Sequence, residues 1–284
     1  MRNLAGRNWN YDFREIDATF SEASCTKVVA SLLERYSKLT KAWSPELNSE
    51  WICRLFMAAK LTMSSTLHVN AMYFAEDRNL RVVVPYLRYY SVLSLLRAVC
   101  YTLPEHEWND GQLITIPHSK AIDGALEHLR RFDRAVADTI EAEIRELKAE
   151  RELISYRAPS SGDDQVSGKN QLFSLCTLLA EVTQFNSELF EFSLLKHADR
   201  ANFRLLSEYA KRIASIEIDG HHFSDREDAY RLEFLARKQP YPVNLKSFMK
   251  EGHVDDFFGA WVAGGGANEF FNPDEMQNII FDIP

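Results

Sequence analysis

The chain is 284 residues long and carries a formal net charge of -8. Hydrophobic residues make up 46% of it, so a sizeable core is available, and only 11 Gly and 9 Pro favour long regular elements, helices above all. The acidic balance excludes a general polyanion binder, because nucleic-acid proteins usually carry a basic excess, and leaves a local basic patch as the one route to such a ligand.

Residues 1–20 show no clear period. A helix is predicted from about Ser21, with Val28, Leu32, Tyr36 and Leu39 on one face. Pro45 fits the first turn of the next helix, which runs to about Phe74 with Trp51, Leu55, Ala58, Leu61 (or Thr62) and Ser65 as its stripe. AEDRN at 75–79 is a polar break. The next helix starts near Leu80, takes Pro85 in its first turn or as a kink, and ends at Leu103-Pro104. Its part from Tyr89 to Leu103 is apolar on nearly every side, as a helix in the middle of a bundle should be. Arg97 is the one charge in that part and must find an anion or several acceptors.

Residues 104–116 form a loop with a turn at Asn109-Asp110-Gly111. Pro117 is placed at the first position of a helix whose stripe is Ile122, Ala125, Leu129 and Phe132; His118 extends that stripe inward. A charged helix over 133–156 buries Val136, Ile140, Ile144 and Leu147 and turns its charges, including the pair Glu141–Arg145, to solvent. RAPSSGDDQVSGKN, 157–170, is a linker or loop. A long helix over 171–198 carries Leu172, Leu175, Leu179, Val182, Leu189 and Phe192 at a spacing that suits helix–helix packing. A shorter helix at 200–214, a strand and turn at 215–220 and a helix at 225–238 follow. Beyond Pro240 the order weakens, and Gly264–Gly266 reads as a hinge before an apolar and acidic tail, whose Phe270, Phe271, Ile279, Ile280 and Phe281 are too apolar for a free end and should dock on their own domain or on a partner or second subunit.

Cys25, Cys53, Cys100 and Cys176 are far apart, form no CxxC and have no adjacent histidine. They read as free thiols of a reducing compartment. The N-terminal stretch MRNLAGRNWNYDF lacks an apolar signal region, and no run of about 18 uncharged apolar residues is seen. The expected location is therefore cytoplasmic, without a membrane span.

Two segments together are similar to a known superfamily. YYSVLSLLRAV at 89–99 resembles the AYYALFHAARALL helix of HEPN domains, and PHSKAIDGAL at 117–126 resembles the KTHSGVIxxF helix that follows it there. A long charged helix that ends in Arg-x-Pro also matches. The resemblance covers about residues 46–157 and implies an all-α, HEPN-like helical bundle, here with a helical C-terminal extension. The implied division is an N-terminal helical segment at 1–45, the bundle at 46–157, a linker at 158–170, a helical region at 171–266 and the tail at 267–284. Many HEPN members are ribonucleases of toxin–antitoxin or phage-defence systems, others bind nucleotides, and some have lost activity. Their ribonuclease motif, Arg-x4–6-His on one helix, is missing here: Arg97 is followed by His106 with eight residues between. Some members use residues from successive helices, and Arg97 with His118 could play that part.

Those two residues are the candidate catalytic pair. Arginine matches two phosphate oxygens with its fork, and histidine exchanges protons near neutral pH. A helix N-terminus attracts an anion and disfavours imidazolium, which suits His118 as a base. Ser119, Lys120 and Arg157 are the candidate substrate-binding residues. The bland reading stands beside this one: Arg97 braces the bundle and His118 caps or packs. His221-His222 with Asp219, Asp225 and Glu227 does not read as a metal site, because adjacent histidines on a turn point apart and the acids suit a helix cap. No metal or other cofactor is expected. Two functions follow. One is RNA or nucleotide binding, with metal-independent RNA cleavage as its enzymatic form. The other is a non-enzymatic interaction subunit that meets a partner protein or a second copy through 171–198 and the tail.

Overall fold

The computed structural model describes residues 4–163, 172–249, 252–262 and 270–283. Among these the protein is an all-α bundle with one small hairpin. Its helices are α1 (Arg14–Thr19), α2 (Glu22–Lys41), α3 (Pro45–Asp77), α4 (Val84–Tyr101), α5 (His118–Arg130), α6 (Arg134–Arg157), α7 (Leu172–His197) and α8 (Ser207–Ala214). The hairpin of β1 (Ser215–Ile218) and β2 (His221–Ser224) follows, then α9 (Arg226–Lys238), α10 (Leu245–Phe248) and α11 (His253–Gly259).

Local chemistry sets the helix starts. Ser21 caps α2 through the Ser24 N–H, and Ser44 caps α3 through the Leu47 N–H with Pro45 in the first turn. Asp133 caps α6 and Asp225 caps α9 in the same way. A short 3-10 turn at Arg81–Val83 leads into α4, and Pro85 sits in its first turn without a kink.

α4 lies at the centre and packs against α3, α5, α6 and α7, which is why its apolar residues run all the way round. α3 is also buried on most sides rather than on one stripe, because α4 covers one face and α8, α10 and α11 cover others. The helix Arg81–Thr102 is long and apolar enough to cross a membrane by length and composition, although it carries Arg88 and Arg97; it is mostly buried inside this bundle, as a core helix is.

One core runs from Leu4 to Ile283 and takes in residues of the 1–45 segment, the 46–157 stretch, the 171–266 region and the tail. Two buried carboxylates of α7 tie the N-terminus to it. Glu181 accepts from the N–H groups of Glu15 (3.2 Å) and Ile16 (2.8 Å), and Glu188 accepts from that of Asn10 (3.0 Å). Burial pushes the Glu181 carboxyl up to about 7. His128 bonds Asn186 at 3.1 Å, and Asn186 donates to Thr102 at 3.0 Å, which links α5, α7 and the end of α4. All four cysteines are buried and free.

Several expectations need correction. α3 runs through the polar break to Asp77. Pro117 is the residue before α5, not its first, and His118 opens the helix. The helix expected at 200–214 is a 3-10 turn at Arg200–Asn202 and then α8. The strand at 215–218 finds its partner in His221–Ser224. The tail, by contrast, docks on its own chain, one of its two expected readings: Ile280, Phe281 and Ile283 are buried in the core, and Phe281 stacks on Tyr11 at 4.5 Å. Those residues are therefore not free for a partner, whereas Phe270 is exposed. The Gly264–Gly266 hinge, residues 164–170 of the linker and residues 267–269 and 284 of the tail lie outside the described residues.

Candidate functional site

α4, α5 and α6 each bring part of one cluster. α4 supplies Tyr89, Tyr90 and Arg97, the first residue of α5 is His118, and α6 supplies Lys148 and Arg151.

Arg97 is half-buried, not enclosed as its helix suggests. Its Nη2 donates to the Ile116 carbonyl at 3.2 Å, which pins the loop just before His118. Tyr101, one turn on, donates to the Ile114 carbonyl at 2.9 Å and holds the same loop. Arg97 Nε is buried without a hydrogen-bond partner, and among the described residues no carboxylate pairs with this guanidinium. A buried arginine that does brace the bundle is Arg54 of α3. It donates to the carbonyls of Tyr101 (2.9 Å) and Leu103 (2.5 Å), pairs with Glu50 (2.9 Å) and lies over the Trp51 ring. It thus occupies the open carbonyls at the C-terminal end of α4.

His118 is half-buried, with Nδ1 3.0 Å from the Tyr89 hydroxyl and its ring edge-on to Tyr90 at 6.1 Å. Burial and then the charges of Arg97, Arg151 and Lys148 hold its pKa below the ordinary histidine value. The ring is therefore neutral at pH 7. If Nδ1–H donates to the Tyr89 oxygen, Nε2 is left as the basic nitrogen. No side chain caps α5, so the backbone N–H groups of its first turn also face outward.

Arg151 lies with its guanidinium carbon 5.1 Å from the Tyr89 ring centre, and its Nε is buried without a partner. Glu152 stands 3.8 Å from both Arg151 and Lys148 and is the carboxylate that meets these cations. Three cations thus gather around one neutral imidazole and two tyrosines in an otherwise acidic chain. Such a group attracts an anion, and it favours a carboxylate or phosphate, whose oxygens can take bidentate arginine contacts.

Arg97 and His118 are therefore brought together. Ser119 and Lys120 are exposed on the first turn of α5 beside them, without contacts to the cluster among the described residues. Arg157 is not brought in: it is exposed six residues beyond Arg151, about 9 Å along the helix axis. The residues that the sequence missed are Tyr89, Lys148 and Arg151. Lys148 and Arg151 are three apart and so share a face, but that face looked solvated because the whole helix is charged. Glu150 shows the same misreading, for it is buried in an ion pair with Arg88 at 2.9 Å.

Two cavities, of about 670 and 310 Å³, lie elsewhere, around Lys60 of α3. Size alone points to them; the case for the arginine cluster rests on its charge and on its unpartnered donors. His221 and His222 are exposed on β2, and Asp225 is the cap of α9. No protein-family model matches the chain, and no curated protein or solved structure is found to resemble it.

Proposed function

We propose that the cluster of Arg97, His118, Lys148 and Arg151 holds a phosphate of RNA or of a nucleotide on an HEPN-like bundle, and that RNA bound there is cleaved without a metal. One observation carries this reading: Arg97 and Arg151 each keep a buried Nε–H without a partner, beside a neutral imidazole. A phosphate would accept from both guanidinium groups and from the first-turn amides of α5. Tyr89, Tyr90 and the His118 ring offer faces for a base. In cleavage, His118 Nε2 takes the 2′-hydroxyl proton and the oxygen attacks phosphorus. The leaving 5′-oxygen takes a proton from Lys148, which gives a cyclic phosphate and a 5′-hydroxyl.

The test uses a fluorescent single-stranded RNA, ATP and total RNA in EDTA. Arg97→Met and Arg151→Met should each weaken binding about tenfold, the worth of one charge-assisted hydrogen bond. No saturable binding by the parent protein would end the reading. Cleavage that survives in the Arg97→Ala, His118→Ala double variant would show that the nuclease is elsewhere or a contaminant.

The interaction-subunit reading keeps one supporting observation: Phe173, Phe192 and Leu195 of α7 are exposed. A monomer in light scattering, unchanged by Leu195→Glu, would argue against its self-associating form.

A further inference from the structure

The segment SIEIDGHHFS, 215–224, alternates polar and apolar residues around Asp219-Gly220, and both turn residues have positive φ, 51° and 78°, as a two-residue hairpin turn needs. Its strands pair Ser215 with Ser224, Ile216 with Phe223, Glu217 with His222 and Ile218 with His221. The N–H of Asp225 donates to the Ala214 carbonyl at 2.8 Å, which sets the alternation of the ladder. Ile216 and Ile218 bond their opposite residues, while Ser215, Glu217, His222 and Ser224 turn their N–H and C=O groups outward. Among the described residues no third strand and no other backbone group meets either edge.

One face of the hairpin is apolar and open to solvent. Ile216, Ile218 and Phe223 are 36%, 52% and 53% exposed. Ile216 and Phe223 also line the cavity of about 670 Å³, so this apolar surface continues inward to Met57 and Ile213. A two-stranded hairpin is marginal by itself in water, and an open row of backbone groups is a template for another strand. Edges are usually blocked by a lysine or other charge, a proline or a bulge. β2 reads His-His-Phe-Ser, has none of these, and is exposed along its whole length. β1 carries Glu217, and its Ser215 is half-buried where α8 runs into the strand. β2 is therefore the unguarded edge.

We propose that β2 pairs antiparallel with β2 of a second copy of this chain, which doubles the two-stranded sheet to four strands. The occupant is a strand because a row of backbone donors and acceptors matches another extended backbone. It is a second copy because β2 complements itself. A two-fold axis at Phe223 sets His222 against Ser224 of the second copy and uses the outward groups of both strands. An axis at His222 or at Ser224 would instead set one residue of each strand against the turn or the start of α9. The favoured register also places Phe223 beside Phe223 of the second copy, at the closer, non-bonded position where aromatic pairs interact. The two apolar faces then join, and no carboxylate, lysine or arginine lies in the paired strands. Each copy contributes a strand of only 4 residues, so the contact is small. The dimer should accordingly be weak, with Kd about 10–100 µM. The proposal is independent of the RNA or nucleotide reading.

The test is sedimentation equilibrium of the full chain from about 1 to about 300 µM, a range that brackets this Kd. The average mass should rise from 32.8 kDa toward twice that value. His222→Pro removes an outward N–H and none of the hairpin's own bonds, and Phe223→Lys brings like charges together at the axis. Both side chains are exposed, so the melting temperature should stay unchanged, yet each variant should weaken the dimer about tenfold or more. Leu195→Glu on α7 should leave it intact. In the parent protein, hydrogen exchange at the His222 and Ser224 amides should slow as concentration rises. A monomer at about 300 µM, or a dimer that either hairpin variant leaves at full strength, would overturn the proposal. Exchange at those two amides that does not respond to concentration would do so too.

Discussion

Replacing Arg54 and Arg97 separately by methionine, which keeps most of the aliphatic volume, should give opposite results. Arg54 is enclosed and satisfies two carbonyls at the end of α4, one carboxylate and one indole face. Each charge-assisted hydrogen bond contributes about 1.5–3 kcal/mol, and removal of one side of a buried charged group costs about 3–5 kcal/mol. Some of that is offset, because the buried charge itself disappears. Arg54→Met should therefore lose about 4 kcal/mol. At about 2 °C per kcal/mol for a chain of this size, its melting temperature should fall by about 8 °C. Arg97 makes one carbonyl contact at 3.2 Å and keeps a buried N–H unmatched. Arg97→Met should lose about 1 kcal/mol or less, with a shift of about 2 °C. Differential scanning calorimetry and urea titration measure both, and RNA or ATP titration measures the ligand. The expected pattern is a stable Arg97→Met protein that binds the anion about tenfold more weakly, and an unstable Arg54→Met protein that keeps full affinity when folded. If Arg97→Met destabilises as much as Arg54→Met, Arg97 is a brace and the case for the phosphate site fails.

The other predictions concern the scaffold. Phe281→Ala empties a buried stacking position on Tyr11 and should lose about 3 kcal/mol in urea titration, while light scattering stays unchanged; a change in oligomeric state instead would mean that the tail serves an interface. Glu150→Leu removes the carboxylate that Arg88 meets in a buried ion pair and should lose about 3 kcal/mol, whereas the double variant Arg88→Met, Glu150→Leu should recover most of it. Burial holds His128 down to about 3 and His253 to about 4, so the native state stays unprotonated at acid pH where the unfolded chain takes up protons. Stability should fall between about pH 7 and 4.5, by about 2 kcal/mol for each of these histidines. Glu181, raised to about 7, runs the other way, because its buried charge is neutralised over the same range. The urea midpoint should thus fall less steeply with acid in His128→Gln and more steeply in Glu181→Gln; parallel curves for all three proteins would refute the assignment.

The sequence by itself determined the helices and their order. Periodicity and caps are local: Ser21, Pro45, Asp133 and the apolar run at 89–103 act on their own neighbours, so they can be read without the fold. It also pointed to Arg97 and His118 and to a tail too apolar to hang free. Which arginine is enclosed was decided elsewhere, because burial depends on what packs against a face. Arg54 sits where the end of α4 crosses α3, and Arg97 looks out beside α5. Arg151 and Lys148 joined the cluster for the same reason: α6 happens to lay one charged face along α4, and no spacing within α6 records that. The Lys60–His253 cavity needs three elements nearly two hundred residues apart, so only the closed bundle forms it.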